Sequence, residues 1–177
     1  MTPDEIAALE ANIVDICKAH KAENSRKRGY RAFVFAGPRY GVKYGNPDTL
    51  LPEIKTQKYV LDYAESQPGT SCAPRIPKVE HYFQKERTMY LVMERITFTV
   101  PPSDFTERVA GALKWLSETK PPPDHVIGPL RGGCVRHKVF KDFLAPLPFP
   151  SVDVLEPYLN TVRPWLYFLE YTPFANM

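Results

Sequence analysis

The chain has 177 residues, of which 44% are hydrophobic and 24% charged. A chain of this length hides roughly 70% of its unfolded surface, so it needs neither disulfide nor metal to fold, and its composition excludes wholesale disorder. The net charge of +3 is too small to argue by itself for a nucleic-acid partner. No apolar run approaches the ~18 residues of a membrane span, and the acidic start MTPDEIAALE argues against a secretory leader.

Cys17, Cys72 and Cys134 are odd in number and without metal-ligand spacing, as expected of reduced thiols in a cytoplasmic protein. Of the 19 prolines, 12 lie in residues 101–177, so the second half is expected to be loop-rich with short helices.

In chain order, residues 2–22 predict a helix. Thr2 suits the N-cap, Pro3 the first helical position, and Asp4 and Glu5 the positive end of the helix dipole. Ile6, Leu9, Ile13, Ile16 and Cys17 make one apolar stripe. A basic stretch follows: Lys18 to Lys43 holds eight Lys or Arg and only Glu23 as an acid, and its SRKRG segment reads as a solvated loop. Residues 30–36 and 40–44 read as strands joined by a Gly37-Pro38-Arg39 turn. Lys43 sits between Val42 and Tyr44 in the second strand, where a lysine is either edge-exposed or aimed at an anion.

Asn46-Pro47-Asp48 stops that strand. A helix is expected from Asp48 as N-cap to about Ser66, with Leu51, Ile54, Tyr59 and Tyr63 on its buried face, Pro52 in its first turns, and Gln67-Pro68-Gly69 as its end. Residues 76–83 and 88–94 predict two more strands with a polar turn at 84–87. TMYLVME, the most apolar run, is expected to be central and buried on both faces. Val100-Pro101-Pro102 breaks the chain. A helix over 104–118 aligns Phe105, Val109, Leu113 and Leu116, and Lys120–Pro123 forms an extended linker.

Three motifs stand out in this order: YGVKYG (40–45), LPEIKT (51–56) and YLVMERI (90–96). Together they resemble the small lobe of the protein-kinase-like fold, closest to the aminoglycoside/choline phosphotransferase type. APRIPKVEHYF and YLVMERI look like its fungal members, and the segment 125–160 is similar to one found before their catalytic loop. The resemblance implies that Lys43 holds nucleotide phosphates, that Glu53 pairs with Lys43, and that Met93, Glu94, Arg95 and Ile96 form the hinge that receives adenine. A purely structural Lys43–Glu53 pair in a fold that no longer binds nucleotide is the other reading of the same residues. The expected fold class is α+β, with an N-terminal helix (1–24), a small lobe of antiparallel sheet plus helix (25–100), and a partial, proline-rich, helical and loop-rich start of a large lobe (101–177).

Phosphoryl transfer of the kinase type needs an aspartate to accept the hydroxyl proton, a nearby asparagine and a second aspartate for magnesium. The sequence holds no HGD or HRD motif and no D-x-x-x-x-N followed by a DFG-like motif, and Asp142-Phe143 is followed by Leu144. GPLRGG (128–133) departs from the phosphate-loop pattern GxxxxGK[ST]. Arg131, Arg136, His137 and Lys138 form a small basic cluster, either a solvated loop or an anion site. His81 reads as a core or edge residue, and Cys134 as a weak nucleophile candidate near His137.

The expectation is therefore a pseudokinase-type module, cut before its catalytic loop, that binds ATP weakly, lacks the aspartates for Mg, and docks a protein partner or a second copy on the surface a large lobe would cover. Neither a membrane nor nucleic acid is expected as a partner. A phosphotransferase whose catalytic segment lies outside this chain, and an oligomerising scaffold, are the alternatives.

Overall fold

The computed structural model describes residues 2–67, 73–97, 102–123, 125, 127–129, 134–137, 140 and 144–162. The break at Val100-Pro101, the Pro68-Gly69 helix end, Cys72, Arg131, Lys138, Asp142-Phe143 and everything after 162 lie outside those residues. The protein is α+β: four helices and one four-stranded antiparallel sheet among the described residues. It divides into two compact units, 1–120 and 121–177.

Helix α1 (Pro3–Asn24) opens with a capping box. The Thr2 hydroxyl accepts from the Glu5 amide at 3.3 Å, and the Glu5 carboxylate accepts from the Thr2 amide at 2.6 Å, so two otherwise orphaned donors are satisfied. The helix ends two residues beyond the expected Ala22. Its buried contacts are Ile13, Val14 and Cys17, with Leu9 and Ile16 packed at their edge.

Strands β1 (Phe33–Ala36) and β2 (Tyr40–Gly45) form the first hairpin, and β3 (Val79–Lys85) and β4 (Thr88–Glu94) the second. The sheet order is β1-β2-β4-β3, with every neighbour antiparallel. β1 and β3 each begin three residues later than expected. Ala32 still offers its carbonyl to the Tyr44 amide (3.0 Å), so the chain joins the sheet edge before the regular ladder begins. The second turn tightens to Glu86-Arg87, with Glu86 in the left-handed region at φ 54°.

β4 is central, as its composition demands: Met89, Tyr90, Leu91 and Val92 are all buried. Alternation sends Tyr90 and Val92 to one face, where they meet α1 with Val42, Tyr44 and Phe83. Met89 and Leu91 go to the other, against α2 (Pro47–Glu65) through Leu50 and Ile54.

α2 starts earlier than expected. Asn46, not Asp48, is its N-cap, its side-chain oxygen accepting from the Asp48 amide at 2.8 Å. Pro47 explains this: at the first helical position its missing N–H costs nothing, which moves the cap one residue before it. Pro52 is then the sixth residue of the helix, inside it. Leu50 takes the most buried place beside Ile54, while Leu51, Tyr59 and Tyr63 are half-buried.

α3 (Phe105–Glu118) clusters with the first unit. Its aligned stripe does not define its packing: Phe105, Val109, Leu113 and Leu116 are exposed. Trp115 is the buried side chain, lying 5.8 Å ring to ring from Tyr63 of α2, and the Tyr59 hydroxyl donates to the Lys120 carbonyl at 2.7 Å. One large aromatic on a partner ring thus sets the rotation of the helix.

The second unit has its own small core of Phe140, Ala145, Phe149 and Leu159, with an Ile127–Phe149 bridge and α4 (Val152–Val162). α4 is a short helix of the kind expected in this half, and it accommodates Pro157 in its interior. No described helix is long and apolar enough to cross a membrane.

Burial pushes the Cys17 thiol from 9.0 up to about 12, and burial with the Tyr30 hydrogen bond also raises the Tyr44 phenol. A raised pKa on an acid means that the fold keeps the proton longer than the unfolded chain does. The associated stability is complete below pH 9 and is lost as pH rises toward 12. Urea midpoints are expected to fall steadily from pH 9 upward; a rise would contradict the buried, protonated thiol. In a Cys72→Ser/Cys134→Ser background, iodoacetamide at neutral pH is expected to reach Cys17 only as fast as the fold opens.

Candidate functional site

Lys43 lies on β2, an internal strand, so it is not an edge lysine. Register fixes its surroundings. Phe33, Lys43, Leu91 and Tyr82 form one cross-strand row, and Phe35, Gly41, Met93 and Val79 the next, all on the α2 face. The side chains of the alternate positions Tyr40, Val42 and Tyr44 go to the α1 face.

Glu53 is on the second turn of α2. It shares that helix with Leu50 and Ile54, whose burial against Met89 and Leu91 presses α2 onto the sheet. The Lys43 ammonium consequently lies 2.6 Å from each Glu53 carboxylate oxygen. Pro52 does not displace this turn. Thr56 instead caps the Pro52 carbonyl with its hydroxyl at 2.9 Å. Both charged groups keep much of their solvent access, at 42% and 40%. The ammonium has three donors, so one pair with Glu53 leaves capacity for a further anionic oxygen.

Around this pair lies an aromatic shelf that sequence reasoning missed. Phe33 and Phe35 stand edge to face, with centroids 5.2 Å apart, and both are exposed. Phe33 leans over Gly41: a Cβ there would come 2.9 Å from the ring tip, so the glycine makes room for the ring. The signal was present in FVFA, whose alternation puts two phenylalanines on the face of Lys43.

The expected hinge residues separate. Met93 stays on the Lys43 face, its sulfur accepting from Gln57 at 3.3 Å. Glu94 pairs with Tyr40 in register, on the α1 face, and is engaged by Arg75. The Arg95 amide donates to the Arg39 carbonyl at 2.9 Å. Its guanidinium donates to the Gly37 carbonyl at 3.0 Å and lies 4.3 Å from the centre of the Phe35 ring. Ile96 is half-buried.

The remaining candidates are structural or belong to the second unit. His81 is 2.8 Å from Glu10 of α1 and stacks on Phe83. Cys134 packs at the edge of the second unit's core, and Arg136 and His137 are exposed. Compared with protein-family models, curated proteins and solved structures, the chain matches none.

The exposure of Lys43 and Glu53 sets their worth to stability. Ion pairs this accessible to water contribute about 0.2–1 kcal/mol. Lys43→Met and Glu53→Gln are therefore each expected to lower urea-unfolding stability by no more than about 1 kcal/mol. A loss of about 3 kcal/mol or more would make the pair a keystone of the fold instead.

Proposed function

We propose that residues 25–100 form a kinase-like small lobe within a cytoplasmic, pseudokinase-type module, which holds nucleotide phosphates at Lys43 without transferring them. The observation that carries this reading is the Lys43–Glu53 pair, which links an internal strand of the first hairpin to the helix that precedes the second. The element order, hairpin–helix–hairpin, supports it further. A cation held by a carboxylate on a rigid strand is suited to phosphate oxygens. Met93 on the same face and Arg95 over Phe35 are where the resemblance would seat adenine.

Transfer is another matter. In kinase-type chemistry, positioning and electrostatics supply nearly all of the catalysis, through aspartates and their metal. These 177 residues carry no such motif. Loss of those groups removes many orders of magnitude of rate even where ATP binds.

Calorimetric titration of the full chain with ATP, with and without magnesium, tests the reading. Binding is expected at a Kd of about 0.1–1 mM, magnesium-independent, and at least about tenfold weaker in Lys43→Ala. No phosphoryl transfer is expected. Tight magnesium-dependent binding, or turnover abolished by Lys43→Ala, would instead favour a phosphotransferase. An unaltered affinity in Lys43→Ala would remove Lys43 from the site.

The exposed face of α3, with Phe105, Val109, Leu113 and Leu116, favours a second reading in which the module docks a protein or a second copy of itself. Sedimentation across a concentration series separates the two: a monomer throughout argues against self-association.

A further inference from the structure

The sheet has a second feature, on the α1 side and away from Lys43. An open cleft of about 790 Å³ runs from the C-terminal half of α1 past the end of β2 to the β3–β4 turn. That volume lies within the usual range for small-molecule sites, about 300–1,000 Å³. Lys18 and Lys21 line it from α1, and Arg87 lines it from the turn. None of the three has an ion-pair partner among the described residues. Two carboxylates, Asp48 and Glu86, also line the cleft, so the wall retains an excess of positive charge.

The surroundings strengthen that excess. Arg26, Lys27, Arg28 and Arg31 follow directly after α1, and Glu23 is the single acid between Lys18 and Lys43. A field of one sign around a concave, partly apolar site concentrates counter-ions there. The Tyr30 and Tyr44 hydroxyls are 2.8 Å apart in the cleft wall, with His20 Nδ1 2.9 Å from Tyr44. Burial raises the Tyr44 phenol, which stays neutral and adds no repulsion toward an anion.

We propose that this cleft binds a small, multiply charged anion of the oligophosphate class, with Lys18, Lys21 and Arg87 as its counter-charges. Three cations brought from two separate elements outnumber the oxygens of one carboxylate, whereas an oligophosphate offers an oxygen to each. The concavity favours a compact ligand over an extended nucleic-acid strand.

The probe is inorganic tripolyphosphate, titrated calorimetrically into the full chain at moderate salt, with ATP as a second arm. One site is expected for tripolyphosphate. Lys21→Ala/Arg87→Ala should weaken it at least about tenfold, as loss of two charge-assisted contacts requires. Lys18→Gln alone should weaken it less. The charge-matched Arg26→Ala/Arg28→Ala variant, which removes only the surrounding field, should weaken it clearly less than the cleft pair, and Lys43→Ala, which separates this site from the nucleotide reading, should leave it within about twofold. Circular dichroism checks that each variant is folded. ATP binding that shares the cleft variants' loss identifies the ligand as a nucleotide's phosphate tail, and ATP binding that does not identifies free oligophosphate. No binding of tripolyphosphate overturns the proposal. So does equal loss in the Arg26/Arg28 control, which would mean a diffuse basic surface fit for RNA, or loss confined to Lys43→Ala.

Discussion

The first unit depends on the burial of β4 from both sides. A strand that carries Met89, Tyr90, Leu91 and Val92 in succession cannot face water on either surface, so each face needs a cover. α1 covers Tyr90 and Val92, and α2 covers Met89 and Leu91. The central position of β4 follows from the same demand, since an edge place would leave its ladder half-made. β2 on one side and β3 on the other are the partners that complete it. Both proposed anion sites sit on this three-layer arrangement. The Lys43 pair lies between sheet and α2, and the basic cleft lies on the side of α1.

The Lys43–Glu53 pair is a poor candidate for a stabilising device. At about 40% exposure its Coulombic gain is screened, while a half-buried lysine in an apolar strand gives up packing that a leucine would provide. Leu91 and Phe33, its register partners, show what that row otherwise prefers. An interaction that contributes little to folding, yet fixes a cation at one point with access to solvent, is better accounted for by what the cation can bind. The Gly41–Phe33 contact points the same way. A glycine in an internal strand weakens the ladder, and the space it leaves is taken by an exposed aromatic ring beside the ammonium.

Much of the first unit was legible because its signals are local. Thr2 and Glu5 announce the start of α1, TMYLVME announces a two-faced strand, and the resemblance implied the Lys43–Glu53 pair that the fold forms. The errors share one cause: local signals compete, and tertiary contacts decide. Asp48 is as good a cap as Asn46 by residue type, and only the fit of Pro47 at the first helical position selects between them. The α3 stripe aligns as expected, yet the side chain that packs is Trp115, which meets Tyr63, while the four stripe residues are exposed. In the second unit, α4 forms in spite of Pro157, with Leu159 buried in one cluster with Phe140 and Phe149. Burial there outweighs a propensity penalty of about 3 kcal/mol for an interior proline.

The two faces of the sheet carry opposite treatments of positive charge. On the α2 face, one lysine is neutralised by one glutamate and hemmed by aromatic side chains, so an incoming anion must compete with a carboxylate already in place. On the α1 face, Lys18, Lys21 and Arg87 meet no such partner among the described residues, and burial keeps the nearby Tyr44 phenol neutral. The first arrangement favours selectivity over strength, because displacement of part of a preformed pair rewards only a ligand with several well-placed oxygens. The second favours capture, since a ligand there gains attraction without breaking an existing bond. A chain whose net charge is only +3 achieves this contrast by segregation. Its cations are concentrated in the stretch that ends α1 and leads into the first hairpin, so a modest total still yields a strong local field.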